Sequence, residues 1–240
     1  MRHFRFTLFF IGSVLLFAPW TLNAQEQQNG KNLVELSTGE ANKWANTRYL
    51  LYTAVGPSNI AGFGNDRTFL IDKRTGDCRF EGTNKNSENI VLLFNYKTKR
   101  TKKYFINTQE SKENIADLAE NIFTQFFNDT QMLFLPAFLS NNPSSITDVS
   151  QKIFDADKVN IISFSHLPTF GDTAIDGKIS VTNKGEIKSI SIDHTAFKTS
   201  VTKDIGEGIL LPTVFENRET YRFQTVAAFT EMEAGKFTDF

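Results

Sequence analysis

Apolar residues fall at helical spacing through the middle of the chain. Ile115, Leu118, Ala119, Ile122, Phe123, Phe126 and Phe127 follow steps of three and four. That pattern predicts a helix over Glu113 to Asn128 with one aromatic face. Asn128-Asp129-Thr130 then breaks the pattern, and a second apolar run, Met132 to Leu135, stops at Pro136. Asn128 or Asp129 is expected to end one helix, and Asp129 or Thr130 to cap the next by accepting backbone N–H bonds.

On either side of this stretch the period shortens. Tyr49 to Val55 is rich in strand formers and ends at Gly56-Pro57. Thr68 to Asp72 and Cys78 to Glu81 read as a hairpin spanning Asp66 to Gly82, turned at Arg74-Thr75-Gly76-Asp77. Ile90 to Tyr96 and Lys103 to Asn107 form the next pair. Beyond a breaker at Asn141-Asn142-Pro143, strands are expected over Ser150–Phe154, Val159–Ser165, Ala174–Thr182 and Glu186–Asp193. The last two are joined by Asn183-Lys184-Gly185, and the final stretch holds Ile209 to Pro212 and Tyr221 to Phe229. Upstream, Asn32 to Ser37 looks like the end of a short helix. Ser37 and Glu40 have capping-box spacing for a further helical turn or two through Trp44.

About ten antiparallel strands interrupted by one helical insertion define an α+β chain. A sheet of that size curls because strands twist. Its concave face needs a cover, and the face of Phe123, Phe126 and Phe127 supplies one. The expected fold is a half-open, strongly curved antiparallel sheet, an incomplete barrel wrapped around inserted helices. No repeat or linker divides it, so residues 25–240 read as a single domain.

The N-terminus has a separate meaning. Arg2 and Arg5 precede an apolar run from Phe6 to Ala18, and Leu22-Asn23-Ala24 supplies a small residue before Gln25. This is the pattern of a signal peptide cleaved near Ala24. The apolar run is shorter than the roughly 20 residues that span a bilayer, and no Cys follows for lipid attachment. Export to the periplasm or the cell exterior is therefore expected.

Composition changes the picture in two places. Without Arg2 and Arg5 the chain keeps 24 basic residues against 27 acidic ones, a net charge of −3 that gives nucleic acid no support as a partner. Phenylalanine is over-used, with 24 copies against 5 Tyr and 2 Trp. Phe buries a large area without needing a hydrogen-bond partner, which suits either a dense core or the lining of an apolar cavity.

Several segments resemble a known family. Trp44 with Arg48-Tyr49-Leu50, then Asp66-Arg67-Thr68-Phe69 and Thr75-Gly76-Asp77-Cys78-Arg79-Phe80-Glu81-Gly82, are similar to motifs of an uncharacterised family of secreted bacterial proteins with the LolA/LolB-type lipoprotein-carrier fold. Val91-Leu92-Leu93-Phe94-Asn95 resembles the family's next strand, and Phe127 to Leu133 through Pro136 resembles its N-D-x-aromatic-W-L-x-x-P segment. Gln131-Met132 stands where that segment has an aromatic-Trp pair, and Asp72 is displaced from the usual spacing. The resemblance covers about residues 40 to 195. It implies a half-open barrel lidded by helices that holds acyl chains or other apolar molecules.

Candidate chemistry is sparse. There is no G-x-S-x-G, H-E-x-x-H or Walker loop, so neither a catalytic site nor a cofactor is expected. His166 and His194 lack a metal-ligand pattern. Asp155-Ala156-Asp157 begins like a calcium loop but lacks its glycine and terminal Glu. Cys78, the single cysteine, can form no intrachain disulfide and reads as a small hydrophobe, with a catalytic thiol as the alternative.

The expected ligand lining is Phe69, Ile71, Phe80, Leu93, Phe123, Phe126, Phe127, Met132 and Phe134, with Arg67, Arg79 and Asp129 as a candidate polar gate. The basic run Lys97, Lys99, Arg100, Lys102 and Lys103 is either a solvated hairpin tip or a docking point for an anionic membrane surface or acidic partner. The leading expectation is a monomeric, non-enzymatic carrier of a lipid or lipoprotein acyl chain. Its rival is an interaction or structural protein of the cell envelope with a closed Phe-rich core. An esterase-like site around His166 with Ser163 or Ser165 is a third reading.

Overall fold

A computed structural model describes residues 18–233 and 235–240, with side chains from Gln27 onward. Most of the expected leader, residues 1–17, therefore lies outside the described residues. No helix among the described residues is long and apolar enough to cross a membrane.

The fold is one large curved antiparallel sheet, not closed, with helices against its inner face. Helix α1 (Ala18–Thr38) and the short α2 (Ala41–Asn46) come first. A meander follows: β1 (Tyr49–Val55), β2 (Phe63–Asp72), β3 (Asp77–Asn84), β4 (Asn89–Asn95), β5 (Arg100–Ile106) and β6 (Gln109–Glu110). Helix α3 (Ala116–Asn141) comes next. Then a second meander runs through β7 (Ile146–Phe154), β8 (Asp157–Leu167), β9 (Ile175–Thr182), β10 (Ile187–Ile192), β11 (Thr195–Asp204), β12 (Leu210–Glu216) and β13 (Thr220–Phe223). A last strand, β14 (Ala227–Phe229), pairs with β1.

The two meanders meet where β1 pairs with β13, so β6 and β7 are left as the two edges of a single sheet. Helix α3 connects those edges across the concave side. The strand pattern puts Leu50, Tyr52, Phe69, Ile71, Phe80, Leu92 and Phe94 on the inner face, all fully buried. Their sequence neighbours point to the outer face, because side chains alternate along a strand.

Helix α3 departs from the expected break. It runs unbroken through Asn128-Asp129-Thr130 and through Pro136. The side chains that would have capped a new helix are engaged elsewhere. The Asp129 carboxylate is held by Arg67 and Gln125, and the Thr130 hydroxyl donates to the Phe126 carbonyl at 2.7 Å. The first half of α3 keeps an exposed polar stripe at Asp117, Glu120, Thr124 and Asn128, whereas residues 132–140 are buried on every side. A segment buried all round needs no polar face, and Pro136 sits there in an apolar setting.

Two further expectations change. The Ser37 hydroxyl donates to the Leu33 carbonyl at 2.7 Å rather than capping a helix, and Glu40 precedes α2. Fourteen strands are present among the described residues, more than the ten or so read from the pattern. Helix α1 packs against β7, β12 and α3, with Val34 fully buried.

Candidate functional site

Helix α3 and the inner face of β1–β4 meet in a cluster of aromatic rings. Phe126 touches Phe69 at 5.5 Å between ring centroids, Phe94 at 5.7 Å and Tyr96 at 5.6 Å. Phe123 lies 4.9 Å from Phe94, and Phe134 lies 6.0 Å from Tyr52 and 5.3 Å from Trp44. Most of these pairs are tilted or edge-to-face, the geometry that adds about 0.5–1.5 kcal/mol per pair beyond burial.

Of the nine candidate lining residues, Phe69, Ile71, Phe80, Phe126 and Phe134 are fully buried, Met132 nearly so, and Phe123 and Phe127 partly buried against the same core. Leu93 does not join them. It is on the outer face of β4, with Val91 and Phe105.

A loop packs onto the cluster. Phe170 sits between β8 and β9, where the sequence offers only turn residues, and its half-buried ring lies 5.1 Å from Tyr96, 5.0 Å from Phe138 and 6.3 Å from both Phe126 and Phe134. Two residues on, Asp172 pairs with Lys99 on the turn between β4 and β5 at 2.7 Å. The Lys99 ammonium also stands 5.8 Å from the Phe127 ring. One meander thus reaches the other over the aromatic cluster through this loop and turn.

Polar groups gather beside it. Arg67 on β2 and Asp129 on α3 form a bidentate pair, with both N···O distances 2.6 Å and both residues about 2% exposed or less. Arg67 also donates to the carbonyls of Gly56 and Asn65, and Gln125 donates to Asp129. Burial lowers the tendency of Arg67 to stay charged, but Asp129 outweighs it and holds the guanidinium above its ordinary value. Burial also pushes the Asp129 carboxyl up, against the pull of Arg67 and Gln125.

The buried Tyr52 hydroxyl has no hydrogen-bond partner among the described residues, and its pKa is raised first by burial and then by Asp129. The third candidate gate residue, Arg79, is on the outer face, opposite Leu70 and Leu93.

A cleft of about 490 Å³ opens next to Asp129, between α3 and the β10–β11 and β13 region. Gln125, Asn128 and Met132 form its helix side, and Phe197 and Tyr221 its sheet side. Asp129 is part of its lining, and the Phe126 ring is not.

The basic hairpin is mostly engaged within the molecule. Lys97 donates to the carbonyls of Lys73 and Arg74, Lys102 pairs with Asp77 at 2.7 Å, and Lys103 donates to the Thr238 carbonyl. Arg100 is exposed and has no ion pair among the described residues. Cys78 is 1% exposed, and burial raises its thiol well above the ordinary value, so it stays protonated and behaves as a small hydrophobe. His166 and His194 are exposed. Among the described residues no three His, Cys, Asp or Glu side chains are placed to hold a metal ion.

No family model matches the chain, and no curated protein does. Solved structures that it resembles include a DUF1329 family protein from Desulfovibrio piger, 10% identical, with a TM-score of 0.42 over 88% of this chain and 97% of that one. The Mycobacterium tuberculosis lipoprotein LppX is 8% identical, with a TM-score of 0.31 over 86% and 99% of the two chains. LprF from Mycobacterium bovis is 7% identical, with a TM-score of 0.31 over 88% and 98%. At these scores the overlap is too loose to transfer a ligand or a role.

Proposed function

We propose that the protein binds an apolar molecule, of the lipid or acyl-chain class, between the curved sheet and α3. One observation carries this reading: a half-buried ring, Phe170, borne on a loop rather than on a helix or strand, packs onto the aromatic cluster of an uninterrupted helix. A guest chain would take the place of that ring once the loop lifts. Burial at about 25 cal/mol per Å² of apolar surface would favour uptake, and movement of the loop would govern release. Phe126, Phe127, Phe134 and Met132 would line the opened space, with Phe69, Ile71, Phe80 and Phe123 behind them. Arg67 and Asp129 would form a fixed polar wall.

The same reading takes residues 1–24 as a leader cleaved near Ala24, residues 25–240 as one monomeric domain outside the cytoplasm, and exposed Arg100 as what remains of the hairpin for an anionic surface.

A second reading has its own support. Five of the nine candidate lining residues are fully buried in ring-to-ring or aliphatic contact, which is what a closed-core interaction protein of the envelope would show. Native mass spectrometry of protein purified from its own host, followed by solvent extraction, decides between them. A bound mass released as lipid is the expected result. A bare chain at every preparation would leave the closed-core reading standing.

A further inference from the structure

The outer face of the first meander carries a feature separate from the aromatic cluster. Val91, Leu93 and Phe105 form a small buried cluster there, separate from the main core. Beside it lies Arg79, only 8% exposed, although it sits on the outside of the sheet. A buried guanidinium needs acceptors. Glu81 supplies one, and the others are main-chain carbonyls of a distant segment: Arg79 donates to Asp239 at 2.6 Å and to Lys236 at 3.5 Å. Lys103, two strands away, donates to the Thr238 carbonyl at 2.7 Å.

Residues 235–240 are thus held by their backbone. They form a turn closed on itself, with the N–H groups of Thr238 and Asp239 both donating to the Gly235 carbonyl. Two rings anchor the turn: Phe237 stacks at 6.3 Å on Tyr49, and Phe240 meets Phe105 edge-on at 5.9 Å.

This turn underfills its seat. Cavities of about 500 Å³ and about 540 Å³ remain on either side of Arg79 and Phe240. Phe240 is 49% exposed, and the Asp239 side chain 74%. Cations aimed at carbonyls hold any peptide turn of the right shape whatever its side chains, whereas the aromatic seats select for ring spacing.

We propose that the outer face around Arg79 and Lys103 is a docking site for a peptide turn with two phenylalanines three residues apart on a partner protein, and that residues 235–240 occupy it in cis. The segment's own contacts are the template for that partner. A tethered occupant competes at an effective concentration in the millimolar range, so the wild-type chain masks the site.

The test uses the full chain and a fluorescein-labelled synthetic peptide of residues 230–240. Phe240→Ala loosens the resident turn at a half-exposed ring, which the fold does not depend on. The Phe240→Ala chain is expected to bind the peptide saturably and at least tenfold more tightly than wild type does. Adding Lys103→Ala, another partly exposed side chain, is expected to weaken that binding at least tenfold. Absence of saturable binding to the Phe240→Ala chain overturns the proposal, as does binding that Lys103→Ala leaves unchanged. A wild-type chain that dimerises over the same concentration range would give the seat to a second copy and overturn the partner assignment.

Discussion

At the scale of single residues, the Arg67–Asp129 pair is a costly commitment. Two charges are taken out of water into an aromatic core, and their short bidentate contact offsets a desolvation cost of several kcal/mol per ion. Asp129→Ala is expected to destabilise by about 3–5 kcal/mol, because the Arg67 guanidinium would be left buried without its partner. Replacing both, as Arg67→Met with Asp129→Leu, is expected to cost less than either single change. Urea unfolding of the three variants measures this directly.

Asp72 shows the opposite balance near the surface. Burial would raise its carboxyl, but the Arg48 guanidinium at 2.7 Å and the N–H groups of Arg74 and Thr75 win and hold it below its ordinary 3.8. The unfolded chain then takes up the proton first as pH falls. Asp72 therefore contributes stability that is present above pH 3.8 and drains away as pH drops through the lower folded value. Asp72→Asn is expected to flatten that acid limb of the melting temperature while leaving the neutral side shifted by a constant amount.

At the scale of elements, close approach decides more than propensity does. Helix α1 lies against β7 at Gly30, where an added Cβ would come within 3.0 Å of methyl groups on both Ile146 and Val149. Gly30→Ala is expected to be nearly neutral, since a helix propensity gain of up to about 1 kcal/mol offsets the tight contact. Gly30→Val adds branched bulk that the strand cannot give way to, and a loss of about 1–3 kcal/mol is expected in thermal melts.

Element by element, the strands whose residues alternate were readable from the chain, and Tyr49–Val55 was found to the residue. Strand β11 was invisible for a physical reason. Only Phe197 among its ten residues is buried, so it is held by hydrogen bonds to β10 and β12 without a hydrophobic period. The continuity of α3 was hidden too, because Asn128-Asp129-Thr130 has capping chemistry in sequence and is recruited to long-range partners only in the fold. In the site, the sequence pointed to a partner for Asp129 at Arg67 or Arg79 without choosing, because which of the two faces inward depends on strand register; the fold pairs it with Arg67. Phe170 could not: it stands alone in Pro168-Thr169-Phe170-Gly171-Asp172, where nothing periodic marks a ring that meets Trp44, Tyr96 and Phe138.

At the scale of the whole molecule, the two meanders close either over a packed core or over a place for a guest, and Phe170 separates the two. Its loop is fastened outside by the Lys99–Asp172 pair, which is exposed on both sides and contributes at most about 1 kcal/mol. The ring contacts beneath are then the main hold. If a guest occupies the ring's position, the closed loop acts as an internal competitor, and the measured affinity is the intrinsic one scaled by the open fraction. Phe170→Ala removes that competitor. A fluorescent apolar probe such as N-phenyl-1-naphthylamine is then expected to bind the Phe170→Ala chain at least several-fold more tightly than wild type, with little change in melting temperature once probe is present. A closed core makes the contrary demand. There the substitution costs up to about 3 kcal/mol by opening an unfilled cavity, the probe gains nothing, and the melting temperature falls by the same amount with or without it. The joint reading of affinity and melting temperature therefore assigns the aromatic cluster either to carriage or to structure alone.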